Sequence, residues 1–137
     1  RTARKTSMAH VAFVCPPLRG HWEPTLALAR TLAERRHRVS LITDAADLPH
    51  VETIAVIDPG LPAAGGLLET VRRNAGILGT VRAMARRCDA LCERLPPLLK
   101  ELGADLVVAD QTEPAGALAA MRLGLPHASL ACALPLD

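Results

Sequence analysis

Aromatic residues are almost absent from this sequence of 137 residues, which contains one phenylalanine, one tryptophan and no tyrosine. Half of the residues are nevertheless hydrophobic, so the core must be packed from leucine, valine, isoleucine and much alanine. The length suits one domain, which can bury roughly two-thirds of the surface that its unfolded chain exposes. An aliphatic, alanine-rich core of this kind is typical of helices packed on a sheet.

Long hydrophobic runs are also absent, because no apolar stretch reaches the roughly 20 residues that a membrane-spanning helix needs. Arg1, Arg4 and Lys5 lie ahead of Met8 in a polar stretch without the apolar segment of a signal peptide. The rest of the chain carries 13 basic and 14 acidic residues. Residues 1–9 are therefore predicted to be a disordered basic leader rather than a nucleic-acid arm, in a cytoplasmic protein.

Cysteines are few, and nothing in the sequence indicates the oxidising compartment in which the four of them could form disulfides. They are predicted to be reduced. Cys88 and Cys92 stand one helical turn apart, but no nearby His or Cys pair completes a tetrahedral metal site. We therefore predict buried small side chains here and no metal site.

Five short apolar runs alternate with stretches of helical periodicity. The runs are predicted as buried parallel strands over residues 10–15, 39–43, 52–57, 105–109 and 126–131. Helices are predicted over 23–36, 67 to about 92 and 114–123, with a break at Pro96 and Pro97 before a short helix at 98–102 and with Gly124 closing the last helix.

This alternation predicts an α/β fold over residues 10–137, a Rossmann-like open parallel sheet with helices on both faces and the strand order 3-2-1-4-5. The fifth predicted strand is followed by a proline-containing loop and no further helix. We expect the chain to be part of a longer protein for that reason.

Ligands of such sheets bind at the carboxyl ends of the strands where the strand order reverses, here between the first and fourth strands. His21 follows the first strand, and Asp110 comes directly after the fourth apolar run. A histidine backed by an aspartate can deprotonate an alcohol, since the imidazole takes the proton and the carboxylate fixes its tautomer. A purely structural pair that caps a helix is an equally open interpretation.

Phosphate-binding glycine motifs are absent. The first strand is followed neither by G-x-G-x-x-G nor by a phosphate loop that ends in Gly-Lys-Ser. This part of the protein therefore has no evident means of holding a nucleotide, whose phosphates must be bound elsewhere.

Several stretches resemble a known family. Gly20-His21, followed by Pro24 and by Leu-Ala-Leu-Ala-Arg, resembles the opening of the family 1 glycosyltransferases, which have the two-domain GT-B fold. Residues 107–116 and 124–136 closely resemble the bacterial members that glucosylate carotenoids, and residues 89–96 support the same match. The similarity extends from about His10 to the last residue.

The resemblance implies metal-independent transfer of glucose from UDP-glucose to a carotenoid hydroxyl, with inversion at the anomeric carbon and no cofactor. The family's catalytic base corresponds to His21, and its partner aspartate corresponds to Asp110. In that family the lipophilic acceptor occupies the amino-terminal domain, and the nucleotide sugar is held mainly by the carboxyl-terminal one. The present chain would then supply only the acceptor side and be inactive alone.

The same comparison predicts acceptor contacts for Gly20, Trp22, Gln111 and Glu113. Trp22 as a packing anchor, and Glu113 as a first-turn carboxylate favoured by the helix dipole, stay open as alternatives. Because the carotenoid enzymes tend to lack Gly20 and Pro24, a macrolide or other polyketide acceptor is the second interpretation of the chain. A non-catalytic acceptor-binding module is the third.

The stretch 67–88 has the pattern of a basic amphipathic helix. Five arginines fall within about half of its helical wheel, namely Arg72, Arg73, Arg82, Arg86 and Arg87. Six apolar residues lie on the opposite face, namely Leu67, Ile77, Leu78, Val81, Met84 and Cys88. Such a helix can lie on anionic lipid, where a lipophilic acceptor would be extracted. Peripheral membrane contact is therefore a hypothesis, and a solvated face over a core-packed stripe is its alternative.

Overall fold

A computed structural model describes residues 7–61, 67–73 and 76–132 of the chain, so most of the predicted leader lies outside the described residues. The strands are β1 (His10–Val14), β2 (Arg38–Ile42), β3 (Ile54–Ile57), β4 (Leu106–Asp110) and β5 (His127–Leu130). The helices are α1 (Arg19–Glu34), α2 (Leu67–Arg72), α3 (Gly76–Leu102) and α4 (Ala115–Leu123).

The five strands form one parallel sheet in the order β3-β2-β1-β4-β5, which confirms the predicted topology. β1 is the central strand, and all five of its residues are buried. A strand that is covered on both faces reads as a continuous apolar run instead of an alternating one, which is why β1 was recognisable in the sequence.

Helices cover both faces of the sheet, as predicted. Successive strand residues point to opposite faces, so Val11 and Phe13 pack on one side and Ala12 and Val14 on the other. The first side is covered by α1 through Trp22, Leu26 and Ala29. The second is covered by α3 and α4 through Leu91, Leu95, Leu99, Ala115, Ala119 and Ala120.

The start of α4 packs tightly on the centre of the sheet at Gly116. A Cβ at this position would lie 2.8 Å from the Cβ of Ala109 and 3.0 Å from that of Val14. Glycine therefore lets α4 approach β4 and β1 closely. Gly124 ends the helix with a left-handed backbone, φ 67°, as predicted.

The predicted helix break at Pro96 and Pro97 is wrong, because α3 runs through both prolines to Leu102. Each proline removes a backbone donor, which disfavours a helix interior. The stripe of Leu91, Leu95 and Leu99 continues across the prolines, however, and each of these side chains is at most 1% exposed. Burying one leucine contributes about 1.5–3 kcal/mol, so tertiary packing outweighs the local cost.

The single helix predicted from residue 67 to about 92 is also wrong. α2 ends at Arg72 and α3 begins at Gly76, whose φ of 71° lies in the left-handed region. A continuous right-handed helix does not contain such a residue, whereas glycine adopts this conformation at little cost.

Candidate active site

The two candidate catalytic residues follow or end two neighbouring strands and lie at one edge of the sheet. α1 begins at Arg19, earlier than the predicted residue 23, so His21 lies in its first turn and its N–H donates to Leu18 O at 2.9 Å. Asp110 is the last residue of β4, which pairs directly with β1. The loop after β1 and the end of β4 therefore meet at the carboxyl edge of the sheet.

The side chains of His21 and Asp110 are in direct contact, with Nδ1 3.0 Å from Oδ2. The aspartate side chain is fully buried, while the imidazole is 19% exposed. A neutral imidazole that donates Nδ1–H to a carboxylate carries its lone pair on Nε2. Nε2 accepts no hydrogen bond from the residues that the structure describes, so this arrangement can take a proton from a bound alcohol.

Thr112, which the sequence analysis missed, holds the aspartate in place. Its hydroxyl donates to Asp110 Oδ1 at 2.6 Å, and its backbone N–H donates to the same oxygen at 2.8 Å. Oδ1 is thereby occupied and Oδ2 is left for His21. An aspartate that accepts from the N–H two residues later forms an Asx-turn, so the Asp-x-Thr spacing was a usable signal.

These contacts keep the aspartate ionised. Burial alone raises the pKa of Asp110, but the hydrogen bonds from Thr112 and His21 outweigh burial and hold the pKa below its ordinary value of 3.8. A carboxylate that stays charged beside the imidazole favours the imidazolium that forms when His21 takes a proton.

Replacing Thr112 by valine is expected to lower the free energy of unfolding by about 1.5–3 kcal/mol at pH 7, since it removes a hydrogen bond to a charged group. A depressed carboxyl pKa stabilises the fold above the unfolded pKa, and this contribution is lost as pH falls through the folded pKa. The difference between wild type and Thr112→Val in urea unfolding should therefore shrink below about pH 4.

Thr112→Ser is the matched control, because it keeps the hydroxyl and should resemble the wild type. Equal destabilisation by serine and valine at every pH would show that the threonine methyl group, and not its hydroxyl, matters.

Cys132, just after β5, also lies at this edge. Its Sγ is 3.6 Å from His21 O and 4.0 Å from Thr25 Oγ1. Burial, followed by the neighbouring Asp110, raises the pKa of the Cys132 thiol to about 11, so it is protonated near neutral pH. All four cysteines are free in the structure, and their reduced state in the cell stays a prediction.

A buried ion-pair network lies behind the turn that follows β4. Arg87 Nε donates to Glu113 Oε2 at 2.8 Å, and its two terminal nitrogens donate to the Asp44 carboxylate at 3.0 and 2.8 Å. Glu113 is 2% exposed, and its N–H donates to Asp110 O. Burial raises the pKa of Glu113 more than Arg87 lowers it.

The network corrects the predicted basic face of residues 67–88, because Arg87 points into the protein and not to solvent. Spacing on a helical wheel placed it among the exposed arginines, but two carboxylates from other elements draw it inward. The structure places the Glu113 carboxylate in this ion pair, and its contact with an acceptor stays a prediction.

The other three predicted acceptor residues differ in their accessibility. Gly20 and Gln111 are exposed next to His21 and Asp110, respectively. Trp22 is only 5% exposed and packs in the core under α1, with its Nε1 buried and without a hydrogen-bond partner in the described part of the chain. Its packing role is thus observed, whereas acceptor contact by any of the three stays a prediction.

The first turns of α3 expose an apolar patch formed by Ile77, Leu78 and Val81, which are 83%, 74% and 55% exposed. These residues belong to the predicted apolar face, but nothing in the described structure covers them. Among the described helices none has the length and apolarity to cross a bilayer.

Comparison with known proteins gives a consistent result. No protein-family model matches the chain. Two zeaxanthin glucosyltransferases, from Pseudescherichia vulneris and Pantoea ananas, are each 40% identical to it over 95% of its length. The chain spans only 32% of the length of either relative.

Solved structures agree in fold. The glycosyltransferase SnogD from Streptomyces nogalater superposes with a TM-score of 0.68 at 26% identity, covering 90% of this chain and 33% of that one. The resemblance to the GT-B glycosyltransferases is confirmed. The calicheamicin glycosyltransferase CalG4 superposes with a TM-score of 0.60 at 23% identity, over 90% of this chain and 32% of its own. The GT-B likeness concerns the amino-terminal half-domain, in which the His21–Asp110 pair lies at the carboxyl edge of the sheet.

Proposed function

We propose that this chain is the acceptor-side domain of an inverting glycosyltransferase that moves glucose from UDP-glucose to a hydroxyl of a carotenoid such as zeaxanthin. The observation that carries the proposal is the 3.0 Å contact between His21 Nδ1 and Asp110 Oδ2. This contact lies at the carboxyl ends of β1 and β4, where the strand order of the sheet reverses. The 40% identity to two zeaxanthin glucosyltransferases supports the choice of sugar and acceptor.

The geometry of the pair supports the following reaction. The acceptor hydroxyl gives its proton to Nε2 of His21 as its oxygen attacks the anomeric carbon of glucose. The bond between that carbon and the UDP oxygen breaks, and UDP leaves with the electron pair from the opposite face, which inverts the configuration. Asp110 stabilises the imidazolium, so neither a metal nor a cofactor is needed on the acceptor side.

The nucleotide is proposed to bind outside this domain. β1 leads into Pro16 and Pro17 instead of a glycine-rich phosphate loop, and the curated relatives are about three times as long as this chain. We therefore expect the 137 residues alone to show no transfer.

The test is an assay of the protein that the gene encodes, with UDP-glucose and zeaxanthin, beside the 137-residue chain alone. We expect a product heavier by one glucosyl unit, that is glucose less one water, per modified hydroxyl, with the β configuration by NMR. A product with the α configuration would exclude a single inverting displacement, and failure to glucosylate any carotenoid would exclude the proposed acceptor.

A macrolide or other polyketide aglycone is the second candidate acceptor, favoured by Gly20, His21 and Pro24 at their family spacing. Offering carotenoid and polyketide alcohols in parallel separates the two by which one is glucosylated. If neither is glucosylated but one binds, the chain acts as a non-catalytic acceptor-binding module.

A lipophilic acceptor also motivates contact of the α3 apolar patch with a membrane surface, in a protein that we place in the cytoplasm. Arg82 and Arg86 are exposed on the same helix and would favour anionic lipid. Flotation with anionic liposomes tests this contact, and absence of binding at low salt would exclude it.

A further inference from the structure

We propose that His21, Asp110 and Cys132 form a binding site for a zinc ion that switches the histidine base off. One ligand atom from each residue, namely a ring nitrogen of His21, a carboxylate oxygen of Asp110 and Sγ of Cys132, lies within 4.8 Å of the other two. Imidazole nitrogen, carboxylate oxygen and cysteine sulfur are the three kinds of atom that zinc binds in proteins. The described residues contain no second group of three such ligands.

The distances require only a small adjustment. A tetrahedral zinc ion, with Zn–S near 2.3 Å and Zn–N near 2.0 Å, separates its nitrogen and sulfur ligands by about 3.6 Å. Nδ1 and Asp110 Oδ2 already lie 3.0 Å apart, so Sγ is the atom that must move. Its contacts with His21 O and Thr25 Oγ1, at 3.6 and 4.0 Å, are long, and its hydrogen bond to Asp110 would be replaced by bonds from both groups to the metal.

The surroundings of these three residues resemble the outer shell of a metal site. Thr112 binds Asp110 Oδ1 through two hydrogen bonds and leaves Oδ2 for a metal. Such bonds orient a ligating carboxylate and raise metal affinity. The imidazole is 19% exposed, which gives an ion access from solvent and leaves a fourth position for water.

Zinc at this site would change the tautomer of His21. A neutral imidazole that binds a metal through Nδ1 carries its proton on Nε2, whereas the base proposed above needs a lone pair there. Binding releases the Cys132 thiol proton to solvent and moves the imidazole proton from Nδ1 to Nε2. The site and the base are therefore mutually exclusive, and this consequence for catalysis rests on the proposed function.

Metal binding is tested on the 137-residue chain with Cys88 and Cys92 both replaced by alanine, which removes the other pair of neighbouring thiols. We expect one zinc ion per chain by titration calorimetry, and a thiolate-to-metal absorption band when cobalt replaces zinc. Cys132→Ser should remove the band and weaken binding at least about tenfold, since loss of a mere outer-shell contact already costs 10- to 100-fold. Circular dichroism checks that each variant is folded.

Unchanged zinc affinity in folded Cys132→Ser, or loss of all binding on removing Cys88 and Cys92, would overturn the site. In the protein that the gene encodes, zinc should inhibit transfer and a chelator should restore it. Full turnover with zinc bound to Cys132 would overturn the switch. Because calorimetry and the cobalt spectrum do not depend on turnover, failure of the proposed function is distinguishable from failure of the site.

Discussion

Replacing His21 by alanine in the protein that the gene encodes is expected to lower kcat for glucose transfer by about 10²- to 10⁴-fold, because alanine leaves the acceptor hydroxyl without a base. Asp110→Asn should produce a fall of similar size. An amide has no charge to stabilise the imidazolium, and its NH₂ group can turn toward Nδ1 and favour the wrong tautomer. The measurement is the initial rate at saturating concentrations of both substrates.

His37→Ala is the matched control. His37 lies at the opposite edge of the sheet, just before β2, where its Nδ1 accepts a hydrogen bond from Ala9 N–H at 3.3 Å. We expect this variant to keep the wild-type kcat. Full turnover by His21→Ala would contradict the role of His21 as the base.

Replacing Arg87 by alanine is expected to lower the free energy of unfolding by about 3–5 kcal/mol, because it leaves a buried carboxylate without its cation. The Glu113 side chain is 3% exposed and that of Asp44 is 27% exposed. Water can therefore solvate the charge of Asp44 in part, but hardly that of Glu113. Urea unfolding at pH 7 measures the loss. Arg86→Ala is the control, since Arg86 is an exposed neighbour on the same helix and should change stability by at most about 0.5 kcal/mol.

Two further measurements separate the buried charge from simple loss of packing. The double variant Arg87→Met with Glu113→Gln should recover much of the stability, because the neutral glutamine at position 113 leaves no buried charge there that needs a cation. Burial raises the pKa of Glu113 above its ordinary value of 4.5, so the folded state binds a proton more readily than the unfolded state. Arg87 lowers this pKa, so its removal raises the pKa further. The loss of stability in Arg87→Ala should therefore be largest near neutral pH and shrink as pH falls and Glu113 takes up a proton. A loss below about 1 kcal/mol at pH 7 would contradict the buried-pair interpretation.

The sheet and the His21–Asp110 pair could be predicted because their signals are local. Each strand of a doubly covered parallel sheet is a short apolar run, and right-handed crossovers allow few strand orders. The order in turn places residues that follow β1 and β4 at the same edge. Two side chains 89 positions apart can therefore be recognised as neighbours from the sequence alone.

Other features depended on partners that the local pattern does not contain. α3 continues through Pro96 and Pro97 because leucines on both sides of them are buried against the sheet and α4. Arg87 turns inward because Asp44 and Glu113 reach it from other elements. Helical spacing describes which residues share a face, but it does not describe what lies opposite that face.

The amino-acid sequence by itself determined the parallel sheet, its strand order and the meeting of an imidazole with a carboxylate, because apolar periodicity and chain connectivity are properties of neighbouring residues. Only the tertiary structure decided that Arg87 turns inward to Asp44 and Glu113 and that Cys132 reaches the same edge as His21. Cys132 lies 111 positions from His21, so packing of β5 against β4 creates that proximity. Such contacts cannot be predicted from one stretch of sequence, because the free energy of a buried contact depends on which residues the whole fold brings together.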